Sequence, residues 1–324
     1  MARDESVASP RGPRPLVVLT GQGIARADGV NLARRVATVE PVSDLRASVE
    51  WRRRRDLDAL VEAAVAAGGE VARRTFEELR LACRKERRSL ARKTAHHCLF
   101  GLLKDVSVER PVLHFTTNVD GIGSAITAGE MGAWWPALLE PTRLVDVRAG
   151  VSKILEGGSG FAHLPLHGEA ALVVSEGGLL RTFFGSPSSL DEDGPWQSTL
   201  DLGIGRGVET IEDRLELSRF GYRLLRSLLF GESVWSRESA LPPADLVVIG
   251  YAAGSRPGRR RLPFERILSE RLEAGSDVRQ RMVAVLLESS ENVTSRRWFA
   301  SLGFEIASHR LGELPAKLRA TLAS

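Results

Sequence analysis

Apolar positions along the chain alternate between short unbroken runs and helix-spaced patterns. Pro15 to Thr20 (PLVVLT) is the first run and closes on Gly21-Gln22-Gly23. A short apolar run ended by a glycine turn predicts a buried parallel strand. Residues 26–35 then predict a short helix and Val36 to Val39 a second strand. From Arg46 to Asp105 the character changes: 56–67 and 71–98 carry apolar residues at helical spacing between charges, which predicts a helical insertion. Strand character returns at Pro111 to Phe115, Leu144 to Arg148 and Phe161 to Leu166. Ala171 to Val174 and Leu179 to Phe184 flank Ser175-Glu176-Gly177-Gly178, a hairpin signal. Residues 190–207, rich in Gly, Asp and Ser, predict a loop. Ile211, Leu215, Leu217, Phe220, Leu224, Leu225 and Leu228 mark a long amphipathic helix. The last third predicts strands at 244–249, 282–287 and 304–307, and helices at 264–274, 295–302 and 315–322.

Strand–helix alternation at both ends, with helical material between, predicts an α/β fold: a Rossmann-like open parallel sheet with a helical insertion and a small extra module. The organisation expected is a flexible tail (1–14) and one domain (15–324). Within that domain, 46–105 forms the helical insertion and 168–238 a hairpin/helix module.

Composition narrows the classes. With 43% hydrophobic and 27% charged residues in 324, the chain has the make-up of a globular protein. No apolar run reaches the roughly 18 residues of a membrane span, so no membrane partner is expected. The polar, Pro/Arg-rich start lacks the apolar stretch of a signal peptide, and Cys83 and Cys98 supply neither a disulfide framework nor a four-cysteine zinc site. These features predict a cytoplasmic protein. Of the 45 basic residues 40 are arginine, and the net charge is +4. Acids are interleaved almost everywhere, which fits solvated helix faces. The exception is Arg52 to Arg55, joined by Arg84, Lys85, Arg87, Arg88, Arg92 and Lys93; nucleic-acid contact through the Arg52–Arg55 region is the functional reading of that run.

In an open parallel sheet, ligands bind beyond the carboxyl ends of the strands. Four such ends carry distinctive residues: Thr20 to Arg26, Thr116 to Gly121, Pro165 to Gly168 and Gly250 to Ser255. The Gly21/Gly23 turn lets backbone approach a diphosphate at a helix N-terminus, or is simply a structural turn; Arg26 stands where the third glycine of a dinucleotide fingerprint would fall. Asn118 and Asp120 fit either a helix-capping turn or a carboxamide and carboxylate aimed into a cleft. His167 is a core histidine or a general base. His163 lies four residues earlier, but Pro165 between them argues against a helical zinc pair. His96-His97 beside Cys98 read as packing or surface.

Taken together and in order, these strand ends resemble the sirtuin family of NAD-dependent enzymes. Val18 to Gly29 (VLTGQGIARADG) resembles the loop that closes over NAD. Thr117-Asn118-Val119-Asp120-Gly121-Ile122, followed by Ala128-Gly129, is similar to the Thr-Gln-Asn-Ile-Asp-Gly-Leu motif. Leu166-His167-Gly168 matches the His-Gly bearing the family's catalytic base. Ala244 to Gly250 and Phe299 to Ile306 resemble the late strand and the closing helix and strand. The resemblance implies that Gly21, Gln22, Gly23, Ile24, Arg34, Thr117, Asn118, Asp120, Gly250, Tyr251 and Ala252 bind NAD as a substrate. Within that set Gly21 and Gly23 would cradle the diphosphate, Asn118 would orient the nicotinamide ribose and Asp120 the carboxamide. His167, acting with Asn118, would be catalytic.

Departures from the family pattern fall mainly on the protein-substrate side. Gln22 replaces the loop alanine, Leu32-Ala33 replace Asp-Phe, Thr117 replaces a glutamine, Tyr251-Ala252 replace Thr-Ser, and no cysteine follows Cys98 to build a zinc ribbon. The implied activity is therefore a bacterial-type NAD hydrolase releasing nicotinamide and ADP-ribose, with no zinc. Such relatives resemble antiphage-defence effectors regulated by a partner protein or by homo-oligomerisation. The alternatives are a protein-lysine deacylase or ADP-ribosyltransferase, an NAD or ADP-ribose sensor, and a Rossmann dehydrogenase using Glu40 as its ribose-binding acid.

Overall fold

The computed structural model describes residues 13–39, 57–127, 144–167, 174–176, 179–183, 199–204, 211–233, 243–253, 263–274, 280–288, 292–310 and 312–322. Glu40, the Arg52–Arg55 run, Ala128-Gly129, Gly168 and Gly254-Ser255 lie outside them.

Six parallel strands form the main sheet: β1 (Leu16–Thr20), β2 (Pro111–Thr116), β3 (Gly160–Pro165), β7 (Asp245–Ile249), β8 (Met282–Leu287) and β9 (Glu305–His309). Their spatial order is β3-β2-β1-β7-β8-β9, the doubly wound arrangement. The direction of winding reverses between β1 and β7, so a crevice opens at their carboxyl ends. Both faces are covered, which explains the unbroken apolar runs. On one face Val17, Leu19, Leu113, Phe115, Leu246 and Val248 pack under α7 (Leu144–Gly157), α8 (Ile211–Phe230), α9 (Pro263–Glu273) and α10 (Val293–Ser301). On the other, Leu16, Val18, Val112, Val247 and Ile249 pack under α1 (Gln22–Ala27), α5 (Thr94–Ser107), α6 (Ile122–Ile126) and α11 (Leu314–Leu322).

The helical stretch before β2 divides in two. α5 is part of the sheet's own layer, through Ala95, Leu99, Phe100 and Leu103. α3 (Leu57–Ala67) and α4 (Gly69–Arg87) instead form a separate core with α2 (Leu32–Val36), built on Leu57, Leu60, Phe76, Leu79 and Cys83. That core includes Val119, from the loop after β2, and the Cys83 thiol reaches the Val119 carbonyl at 3.6 Å. The helix pair therefore braces the loop that carries Asn118 and Asp120.

Three expectations differ from the structure. Residues 36–39 close α2 with a turn instead of forming a strand. Leu144 to Arg148 opens α7, because Val147, Val151 and Ile154 recur at helical spacing and bury one stripe. Within the expected loop 190–207 lies β6 (Thr199–Ile204). It pairs antiparallel with β5 (Leu179–Phe183), which pairs with β4 (Val174–Glu176) in the predicted hairpin. Among the described residues no helix is long and apolar enough to cross a membrane.

Candidate functional site

The four strand ends share one rim. The Thr117 amide donates to the Thr20 carbonyl at 3.0 Å and the Leu166 amide to the Thr116 carbonyl at 2.8 Å, which carries the ladder past β1, β2 and β3. On the other side of β1, the Gly21 amide donates to Ile249 at 2.9 Å and the Gly23 amide to Gly250 at 2.8 Å. A Cβ on Gly23 would stand 2.5 Å from the Gly250 Cα, and Gly250 itself has φ +60°. The glycines thus let the turns after β1 and β7 touch backbone to backbone. The amides of Gly21 and Gly23 are both engaged in that contact.

Beyond β2 the loop is fixed from within. Thr116 Oγ1 accepts the Asn118 amide at 3.1 Å, Gly121 takes a left-handed conformation, and Asp120 Oδ1 accepts the Ile122 amide at 2.9 Å. Asp120 thus holds the first amide of α6 from the position before its N-cap, Gly121. Asn118 is 5% exposed, and its side-chain Oδ1 is buried without a hydrogen-bond partner among the described residues. A lone buried acceptor of this kind costs about 1–3 kcal/mol unless something donates to it. Burial raises the Asp120 carboxyl above its usual range, against the opposing pull of His96 and the Ile122 amide.

Asn118 and Asp120 stand in the wall between two small cavities. One, of about 20 Å³, is lined by Gln22, Ala25, Arg26, Val30, Asn31, Leu32, Ala33, Leu57 and Val119 besides this pair. The other, of about 10 Å³, lies beneath them among Thr20, His96, Leu99, His114, Thr116, Gly121, Gly123 and His163.

The lower cavity is lined by further polar groups to which sequence reasoning assigned no role. His114 and His163 stand side by side in register on β2 and β3, with Nδ1 to Nδ1 at 2.8 Å. His114 Nε2 meets Thr20 Oγ1 at 3.0 Å, and His163 Nε2 meets Ser124 Oγ at 3.1 Å. Phe100 packs edge-on against both rings. Burial keeps the pair neutral: it pushes His163 down to about 3 and His114 well below its ordinary value. Asp28, between α1 and α2, reaches the start of α5. It accepts the Ala95 amide at 2.8 Å, the His96 amide at 3.2 Å and His96 Nδ1 at 2.5 Å. Burial by itself would raise the Asp28 carboxyl, but the His96 ring and these amides outweigh it and hold the group below its usual range. Glu86, on α4, is bound by Lys93 and Arg35, both of which oppose the effect of burial and leave its carboxyl lowered.

Several expected site residues line neither cavity. His167 is buried, and its Nε2 meets the Tyr222 hydroxyl at 2.7 Å on the α8 side of the sheet. Neither of the two cavities includes it. Tyr251 packs edge-on against Phe264 in the core under α9, Ile24 is core, and Ala252 is exposed. Arg34 is exposed on α2, where its amide is held by the Asn31 side chain at 3.0 Å; Arg26 lines the upper cavity instead. Thr117 Oγ1 meets the Thr20 carbonyl at 3.3 Å. Among the described residues no group of three or more His, Cys, Asp or Glu is arranged to hold a metal ion. Comparison of the chain with protein-family models returns no match, and comparison with curated protein sequences likewise returns none.

Proposed function

We propose that the protein binds NAD beyond β1 and β2 and cleaves its nicotinamide glycosidic bond, giving nicotinamide and ADP-ribose. The observation that carries this reading is the unpartnered, buried Asn118 Oδ1 beside the Asp120 carboxyl, next to the switch point of a doubly wound sheet. An orphaned acceptor suits the hydroxyl of a ribose, and a carboxyl group suits the amide hydrogens of nicotinamide. The resemblance of residues 117–122 to the sirtuin motif supports the same assignment. In this reading Asn118 holds the ribose, Asp120 the carboxamide, and Gln22, Ala25 and Arg26 line the approach. The bond breaks through a cationic, oxocarbenium-like transition state, so fixing the ribose and limiting water are the tasks of these residues.

The test is calorimetric NAD binding together with chromatographic product analysis, for wild type and Asn118→Ala. Expected are nicotinamide and ADP-ribose from wild type, and a loss of at least 100-fold in kcat/KM in a folded variant. Equal turnover by the two proteins refutes the assignment. A second reading, an NAD or ADP-ribose sensor, is favoured by the commitment of the Gly21 and Gly23 amides to β7 and of His167 to Tyr222. It predicts binding without product.

A further inference from the structure

Three histidines line the lower cavity, and only one has the bonding pattern of a working base. Each ring nitrogen of His114 and of His163 is already engaged, by the other histidine or by a hydroxyl. One hydrogen lies between the two Nδ1 atoms, and a second proton there would set two N–H groups against each other. His96 differs. Its Nδ1 faces Asp28 Oδ2 at 2.5 Å, while no described residue hydrogen-bonds its Nε2. Asp28 is itself fixed by the Ala95 and His96 amides at the start of α5, and its side chain is wholly buried. An ionised carboxylate can only accept, so in the neutral ring the hydrogen is on Nδ1 and Nε2 is left with the lone pair. The cavity volume of about 10 Å³ is that of about one water, and Asn118, Thr116 and Asp120 line it together with His96.

We propose that Asp28 and His96 form the proton-accepting dyad of this site, with His96 Nε2 as general base toward a water held in the cavity against Asn118. The inference rests on the NAD-cleaving reading and assigns the base to His96 in place of His167. His96 is the catalytic residue and Asp28 a positioning residue. As the C1′–N bond breaks, its electron pair leaves with the nicotinamide and neutralises the pyridinium ring. The water oxygen forms the new bond to C1′, His96 Nε2 takes a water proton, and that proton passes to solvent. The sum is NAD⁺ plus water giving nicotinamide, ADP-ribose and one H⁺. Asp28 keeps the ring in the tautomer that can accept.

The test compares wild type, His96→Gln, His96→Ala, Asp28→Asn and His167→Gln. Calorimetry measures NAD binding, steady-state turnover gives kcat, and thermal melts check folding. For His96→Gln, kcat is expected to fall about 10²- to 10⁴-fold, while the Kd for NAD stays within about threefold. Asp28→Asn presents an N–H to Nδ1 and moves the ring hydrogen to Nε2, so a comparable fall is expected, not additive with His96→Gln. Added imidazole should partly restore His96→Ala. His167→Gln should lose at least about tenfold less than His96→Gln. A normal kcat for His96→Gln in an enzyme that binds and cleaves NAD overturns the dyad alone. Wild type that fails to bind NAD, or binds without cleaving, overturns the hydrolase reading and the dyad together. If the His96 variants do not fold, ¹⁵N NMR of wild type decides: a ring hydrogen on Nε2 overturns the dyad.

Discussion

The paired histidines make the acid stability of this protein predictable in sign. His163 is fully buried and neutral, with a folded value of about 3 against an ordinary 6.5, and His114 shifts the same way. The unfolded chain therefore binds a proton that the native chain refuses. Stability from this pair is complete above about pH 6.5 and is lost as pH falls toward 3. Each pH unit inside that window is worth about 1.4 kcal/mol per proton, so His163 alone costs roughly 2 kcal/mol between about pH 6.5 and 4.5. Asp120 works in the opposite direction, because its raised folded value favours the native state as acid is added. Asp28 and Glu86 are lowered, and their contribution fades below about pH 4. Comparing wild type with His163→Asn removes these common terms. Asparagine keeps a polar atom near the Nδ1 position to bond His114 but has no proton to gain. Urea unfolding at several pH values between about 7 and 4.5 should find the variant less stable at neutral pH, yet about 2 kcal/mol less sensitive to acid than wild type. Parallel curves for the two proteins would refute the assignment of a neutral, proton-excluding pair.

Three further outcomes are expected. Gly23→Ala puts a Cβ 2.5 Å from the Gly250 Cα, where backbone faces backbone and neither can yield cheaply; a loss of about 1–3 kcal/mol and a Tm lower by several degrees should appear in calorimetry. Lys93→Met strips Glu86 of its buried partner and leaves it the half-exposed Arg35; chemical denaturation should read a loss of about 3 kcal/mol, with Glu86→Gln partly compensating in the double variant. Asp28→Ala removes the acceptor for two amides at the start of α5; hydrogen exchange at Ala95 and His96 should accelerate, with a stability loss of about 1–2 kcal/mol.

Much of the sheet was legible because strands covered on both faces cannot carry alternating polarity. The runs at 16–20, 111–116 and 245–249 could hardly be anything else. Short windows failed where length was needed to decide: Leu144 to Arg148 looks extended until Val151 and Ile154 are added and the helical stripe completes. The rim residues Asn118 and Asp120 were legible for a local reason, since polar groups followed by glycine interrupt an apolar run. The groups beneath them were not, because Asp28 and His96 lie 68 positions apart and only the docking of α5 joins them.

The histidine pair is a different case, and it shows what parallel pairing adds to a sequence reading. PVLHFT and GFAHLP each place a histidine fourth in the strand, and the first residues of β2 and β3 are register partners. Equal position in adjacent parallel strands puts both side chains on one face, and the fourth residues are partners in turn. A lone histidine in such a strand would be a buried polar group without a partner, which a fully covered sheet tolerates poorly. Each histidine therefore implies a partner on its neighbour, and the shared position supplies it. Thr20 follows the same logic from β1: it is the last residue of its strand, pairs in register with Thr116, and turns its hydroxyl to His114 at 3.0 Å. The polar array that floors the lower cavity is thus a consequence of strand order and register, and the order β3-β2-β1 places it directly beneath Asn118 and Asp120.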